Sequence, residues 1–569
     1  MSTKRVHFAE SETTHLLGHD HYWGGHIPEK SSFQDSKYFV LVIRSIFLLI
    51  AFIFFTGIYF LPPPSAPPGF PESPASIAII GAGPAGIAAA STLNRLSRQK
   101  KIPINVTIYE QKHAIGGRLV LSDETQTTDV FPFNDHTQAP IEPEDLAGPS
   151  LLYSSKILSG YAKSLGWNPQ FHDRREHLGI FDGKNFIFEG LRPSSAEPWM
   201  SWLGEIYRYG ASIWRSVALP VGAMNKLETL PKLPNSRRFP FADIQGVVNT
   251  LNLEIETRSS AEQYLKVDGI SKKYEEEVIL PQVRKRLAQD IQELNALSLA
   301  IAMYDGDQGV SKAGGLIVPI LEDMAFNSGA DLKLGTRVNG SKPELMPSGK
   351  WVNIIRSERD TGEVEYAAYD QVIFATPDES PMDPENKLNL TGPHVEYRPR
   401  HITLFTSRRA LTGSFFGHRQ MMPSQIITTV IGSKADCNGI HEIAHVKNVA
   451  RVLDDELVTE HLYRILSAHE ISDDFLNAVL DSHEDQGADN NTVTWVYRNE
   501  IPFAYPLLYP RKTFPPLMVS DSLWHTSAID AFANTIDTSL FMGANVAALV
   551  IQKLEDQHKY WDIEELNPN

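Results

Sequence analysis

The sequence predicts an α/β protein with a parallel sheet at its centre, an interleaved α+β second domain and one N-terminal transmembrane helix. Three observations carry that expectation: the stretch IAIIGAGPAG over 77–86, the return of similar short apolar runs downstream of a long helical segment, and the unbroken apolar run over 38–61.

Ile77 to Ile80 form the short apolar run of a buried parallel strand, and the next six residues supply a G-x-G-x-x-G turn into a helix carrying Ala88 to Leu96. Such a turn marks a Rossmann-like fold. Gly81 permits the tight turn, Gly83 lets backbone approach a pyrophosphate, and Gly86 allows close helix–strand packing. The helix N-terminus is then an anion site. A second β-like run, Ile104 to Tyr109, ends in Glu110, at about the twenty-residue offset where an acid meets a ribose hydroxyl. Gly116-Gly117-Arg118 follows. This second glycine pair with an arginine resembles the FAD-binding start of the flavin amine oxidase and glutathione reductase-like superfamily, and the expected cofactor is FAD.

The formal charge of −17 over 569 residues argues against nucleic acid and against a broad anionic-lipid footprint. Cys437 is the single cysteine, which excludes an intrachain disulfide and any Cys-rich metal site. No metal site is expected. The His19-Asp20-His21 pair falls in the tail before the apolar run.

Residues 38–61 are long enough to cross a bilayer core. A long tail precedes them and Pro62-Pro63-Pro64 follows, a poor cleavage site, so the run reads as a signal anchor rather than a cleaved peptide. Lys4, Arg5, Lys30, Lys37 and Arg44 lie before or at its start, and the next basic residue is Arg95. The positive-inside rule then puts residues 1–37, a disordered tail, in the cytosol and the catalytic bulk in the lumen. Sequons at Asn339, Asn389 and Asn490 are compatible with that side, whereas Asn105 lies within the predicted second strand and stays unmodified. Glu12 to Leu17 resembles an acidic dileucine signal for lysosomes or vacuoles.

Residues 62–75 form a Pro-rich spacer. The FAD-binding domain opens over 76–150 and is interrupted by a helical cap over 151–310. Within the cap, Ser259-Ser260-Ala261-Glu262 reads as a capping box, and the Tyr274 to Leu294 region as helix broken near Pro281. The dinucleotide-binding part resumes over 311–390, with a helix from Ile317 to Asn327, strand-like Leu332 to Leu334, a hairpin over 351–368 and a buried strand at Val372 to Ala375. Residues 391–510 return to the substrate domain. Over 511–555 a short strand region leads to an Ala-rich helix, Ser539 to Leu554, before an acidic tail over 556–569.

The order of these elements resembles the prenylcysteine oxidase (prenylcysteine lyase) family. The resemblance runs through the Gly81 fingerprint, Glu110, Gly116-Gly117-Arg118, Pro281, Arg284, Gln289, Tyr304-Asp305, Gly314-Gly315, Ile373 to Pro377, Phe503 to Pro506 and the closing helix, over about residues 76–555. It implies a FAD site that adds Val338 against the adenine, Ala375 at a strand end against the cofactor, and Asp530, Asp537 and Thr538 where the chain returns to the flavin. Its reaction is oxidative cleavage of farnesyl- or geranylgeranyl-cysteine to prenyl aldehyde, cysteine and hydrogen peroxide, with O2 as acceptor. Carbon 1 of the prenyl group is allylic and bonded to sulfur, so loss of hydride leaves a stabilised cation, to which water adds. That chemistry needs a dry aligned pocket more than a strong acid or base. No catalytic residue is assigned; Tyr304, Asp305 and Tyr505 are candidates for binding the amino-acid end or positioning water. Arg286-Leu287 departs from the family's usual Asn-Tyr pair, and the segment Phe131 to Pro149 is more acidic and Pro-rich than the usual flavin-side loop. The rival readings are an amine oxidase of the same fold and a catalytically silent prenyl-lipid or partner-binding protein.

Overall fold

A computed structural model describes residues 74–120, 156–164, 177–191, 203–304, 317–347, 349–377, 393–417, 422–429, 439–453, 456–480 and 493–566. The apolar run 38–61, the tail, Phe131 to Pro149, Asp305, Gly314-Gly315, Cys437 and the sequons at Asn389 and Asn490 lie outside the described residues. Among the described residues no helix is long and apolar enough to cross a membrane.

The first sheet is six-stranded, in the order β15 (Met518–Ser520), β16 (Leu523–His525), β9 (Gln371–Phe374), β1 (Ala75–Ile80), β2 (Ile104–Tyr109), β5 (Asp331–Lys333). All its pairings are parallel except the β15–β16 hairpin. β1 is buried on both faces, as a parallel strand between two layers must be. Ile77 and Ile79 point to a helical layer, while Ala78 and Ile80 pack with Val338, Ile355 and Tyr369. The second layer comes from an antiparallel three-stranded sheet, β6 (Thr336–Leu345), β7 (Trp351–Arg359) and β8 (Val364–Tyr369).

The helical layer pairs α1 (Pro84–Lys100) with α4 (Ile536–Leu566), which share one apolar core through Ile87, Ala89, Leu93, Phe541, Val546 and Val550. Each such large apolar side chain, fully buried, contributes about 1.5–3 kcal/mol. The crossing is close because it is made of small residues: a Cβ on Gly543 would sit 2.0 Å from the Ala85 carbonyl oxygen. The closing helix runs to Leu566, twelve residues past the expected end at Leu554.

The second domain is a seven-stranded sheet in the order β14 (Val493–Pro506), β10 (Tyr397–Ser407), β13 (Glu456–Ser467), β12 (Ile440–Leu453), β11 (Gln425–Thr428), β3 (His177–Phe181), β4 (Phe186–Leu191). β3 and β4 add strands to the 151–310 segment, which the sequence reads as a helical cap. They form a hairpin around Asp182 and Gly183, whose φ of 94° is cheap only for glycine, and β3 pairs in parallel with β11 from the later substrate segment.

Two helix details also shift. Ser260, not Ser259, is the cap of the helix Ala261–Val267, accepting from the Gln263 amide, because Ser259 closes the preceding helix. Pro281 does not break its helix: residues 272–287 stay helical, and a π turn over Glu275–Ile279 precedes α2 (Leu280–Leu287) and absorbs the N–H that proline lacks. The helix expected over Ile317 to Asn327 is present as α3 (Ile317–Ser328), and the hairpin expected over 351–368 as β7 and β8.

Candidate active site

From β1 the chain passes to β2 and β5 on one side and later returns to β9 on the other, so the C-terminal end of β1 is a topological switch point, the place where such folds bind ligands. The Gly81 turn is pinned on both flanks: its amide donates to the Tyr109 carbonyl at 2.7 Å, and the Ala375 amide donates to the Ile80 carbonyl at 2.8 Å. Gly81 has φ of 106°, and a Cβ there would lie 2.9 Å from the Ala375 oxygen. At Gly86 a Cβ would come within 1.9 Å of the Gly81 oxygen, so the third glycine is required by the turn itself.

Gly83 differs. It is the first residue before α1, no side chain caps that helix, and a Cβ on Gly83 would meet only the Gly117 Cα, at an ordinary 3.7 Å. The protein leaves this direction open. Gly117 has φ of 59° and backs onto Gly83, with Gly116 donating to the Ala82 carbonyl at 3.1 Å. An uncapped N-terminus walled by two glycines is the cradle a pyrophosphate needs.

Glu110 is buried beside it, accepting from the Ala82 amide at 2.7 Å and the Lys112 amide at 2.9 Å. The acid therefore holds the glycine turn, from the strand end where the sequence placed it. Lys112, which sequence reading passed over, donates to the Gly117 and Val120 carbonyls at 2.9 Å each. Val338 is buried on β6 in the apolar layer shared with Ile80 and Tyr109.

Arg118 reaches across the molecule to Asp530, Nη2 to Oδ2 at 2.8 Å. Burial works against the arginine's charge, and Asp530 together with Tyr397 more than offsets it, so its pKa rises. Tyr397, the first residue of β10, donates to the same Asp530 oxygen at 3.0 Å, and Arg118 also approaches the Ala504 carbonyl of β14 at 3.5 Å. The β10–β14 end of the second sheet thus abuts the cradle. Thr538 lies at the start of α4, where its hydroxyl donates to the Ala533 and Thr535 carbonyls while the Thr535 hydroxyl accepts from its amide. Thr535 is the capping side chain, and Thr538 answers it by accepting from the Thr535 amide at 3.0 Å. Asp537 accepts from the Ile157 amide at 3.3 Å.

The other candidates divide. Tyr304 donates to Glu228 at 3.3 Å. Tyr505 is buried on β14, and the guanidinium carbon of Arg400, on β10, stands 5.5 Å from its ring centroid. Gln289 clamps the cap to this strand end, donating to the Pro506 carbonyl and accepting from the Leu508 amide, both at 3.0 Å. Two buried groups here carried no sequence signal. Glu442 is held by Arg464 at 2.8 Å and Lys285 at 3.0 Å, which outweigh its burial and lower its pKa to about 2. His441 is driven down to about 3 by burial and then by the charges of Arg284, Arg400 and Arg398. Asn339, a predicted sequon, lies within β6 with its amide donating to Glu358 at 2.8 Å.

Comparison with known proteins bears on this arrangement. A profile of the prenylcysteine lyase family matches residues 194–563, and one of the NAD(P)-binding Rossmann-like domain matches residues 79–135. Farnesylcysteine lyase of Arabidopsis thaliana is 20% identical over 497 residues, covering 85% of this chain and 89% of the relative. Prenylcysteine oxidase 1-like protein of Bos taurus is 22% identical over 503 residues, covering 84% and 91%. Among solved structures, putrescine oxidase bound to putrescine is similar with a TM-score of 0.45 at 14% identity, over 85% of this chain and 100% of that one. The cradle fits a dinucleotide, and its cofactor is FAD. With a family profile matched over the greater part of its length, the chain belongs to the prenylcysteine lyase family.

Proposed function

We propose that this protein is an FAD-dependent thioether oxidase that converts a prenylcysteine, water and O2 into the prenyl aldehyde, cysteine and hydrogen peroxide. The observation that carries the reading is the family match over 194–563, which spans the Gln289 clamp, Tyr505 and the closing helix. The two curated relatives named above share a prenylated cysteine in their names, and each is covered over about nine-tenths of its length.

FAD, when bound, supplies the two-electron acceptor. The chain's own residues hold and orient: Gly83, Gly117 and the start of α1 receive the pyrophosphate, Glu110 keeps the turn in shape, and the Arg118–Asp530–Tyr397 group locks the second sheet onto the cradle. Absence of an assigned acid or base suits a reaction governed by alignment and exclusion of water.

We further infer a single-pass membrane protein with a cytosolic tail and a lumenal catalytic domain in a vacuolar, lysosomal or other endomembrane compartment. The run over 38–61 and the basic residues before it support that reading.

The test of function is stoichiometry. Full-length protein in detergent, given S-farnesylcysteine, is expected to release one thiol and one peroxide per farnesal, and to act far more slowly on a saturated S-alkyl cysteine. Peroxide from polyamines without thiol, or equal rates for saturated and prenyl thioethers, rejects the reading.

A further inference from the structure

Arg400 is the largest fully buried side chain among the described residues, at 1% exposure, and none of its three guanidinium nitrogens has a hydrogen-bond partner among them. The hydroxyl of Tyr505, whose ring lies beneath that guanidinium, is buried and unpartnered too. An arginine cannot shed its proton in a protein, so it cannot escape burial by neutralising. A buried unpaired charge is costly enough that an anion is needed to explain it.

Three acids of this part of the fold are engaged elsewhere. Glu442 is held by Arg464 and Lys285, Asp530 by Arg118 and Tyr397, and Glu293 by Arg398. Ser467 of β13 pairs with His401 on one side and Ile440 on the other, which sets β10 and the His441 bulge of β12 two strands apart in the same sheet. His441 Nδ1 is a further buried atom without a partner. Arg400 and the Tyr505 hydroxyl are thus neighbouring buried polar groups that no group of the described protein satisfies.

Position narrows the choice of anion. Arg400 follows Tyr397 by three residues, about 10 Å along a strand, and Tyr505 follows Ala504; both Tyr397 and Ala504 meet the Arg118–Asp530 pair at the FAD cradle. Resting on the function proposed above, the substrate's one anionic group is its α-carboxylate, a few bonds from the carbon to be oxidised. The geometry points to Arg400, with the Tyr505 hydroxyl as a second donor, as the site that binds the carboxylate of the amino-acid end of the substrate. A guanidinium fork suits a carboxylate through two parallel hydrogen bonds.

The test compares S-farnesylcysteine with S-farnesylcysteamine, the same thioether without its carboxylate, in FAD-loaded wild type, Arg400→Gln and Arg400→Lys. Wild type should prefer the carboxylate substrate, and Arg400→Gln should lose that preference through a KM raised by about 30-fold or more. It should keep its flavin, and Arg400→Lys should restore part of the preference. Arg400→Met should melt no lower than wild type without substrate, since the native guanidinium has no protein partner to lose. Unchanged preference in Arg400→Gln, or a clear loss of stability in Arg400→Met, overturns the proposal. Flavin lost from Arg400→Gln also overturns it, by assigning the guanidinium to the FAD pyrophosphate. If wild type oxidises neither thioether, the functional reading fails, and an anaerobic titration of the flavin spectrum with S-farnesylcysteine separates the two: Arg400-dependent binding sustains the carboxylate site, and no binding rejects it.

Discussion

Arg118 and Asp530 stand 412 residues apart in the chain and 2.8 Å apart in the fold. They join the end of the glycine-rich segment to the stretch that opens the closing helix. Asp530 is 2% exposed and Arg118 17%, so removing the acid strands a largely buried cation. Asp530→Asn should cost about 3–5 kcal/mol and weaken flavin retention, seen as a lower Tm and a lower flavin-to-protein absorbance ratio. Tyr397→Phe, which removes a single hydrogen bond to the same oxygen, should cost about 1 kcal/mol. A wild-type Tm in Asp530→Asn would refute the linkage.

The two neighbouring glycines should respond to alanine in different ways. Gly86→Ala places a methyl 1.9 Å from the Gly81 oxygen and should destabilise the protein whether or not FAD is present. Gly83→Ala meets only ordinary contact within the protein. Its apoprotein should melt close to wild type, while FAD binds more weakly and the extra stability conferred by bound cofactor shrinks. Melting curves of both variants with and without added FAD decide the matter; a Gly83→Ala protein that binds FAD normally removes the pyrophosphate from this position.

Acid should weaken the fold through His441. Burial, reinforced by Arg284, Arg400 and Arg398, lowers its pKa from 6.5 to about 3. Between those values the unfolded chain holds a proton here that the folded chain does not, so stability rises with pH across that window and is lost as pH falls. One such group contributes at most about 1.4 kcal/mol per pH unit. Urea unfolding of wild type and His441→Gln at pH 4, 5 and 6 should show a shallower pH dependence in the variant. Glu442, depressed from 4.5 to about 2, adds a second loss at lower pH, as its carboxylate protonates. Parallel slopes for wild type and His441→Gln would count against a neutral buried imidazole.

The proposed membrane orientation makes a separate demand. Protease added to intact microsomes should trim only the tail before residue 38 and leave the remaining mass protected, whereas detergent should expose all of it. Digestion of the large domain without detergent would reverse the topology.

Much of the cradle was legible in the sequence because its constraints are local. Gly81 needs a backbone angle that other residues avoid, Gly86 needs room against its own turn, and both demands are written into residue type and spacing. The unbroken apolar run of β1 and the apolar start of the closing helix were readable for the same reason, since burial selects apolar residues position by position along one element. Other features depended on what the fold brings together. The β3–β4 hairpin could be heard locally in Asp182-Gly183, but its place beside β11 could not. Thr538 was found at the right helix start, yet only the structure shows its hydroxyl spent on the Ala533 and Thr535 carbonyls just before the helix. Arg400, in the run Arg398-Pro399-Arg400-His401, reads in sequence as one more solvated charge. Tertiary structure alone buries it against Tyr505 without an acid, because burial and charge pairing are properties of distance through space, and chain separation carries no information about them.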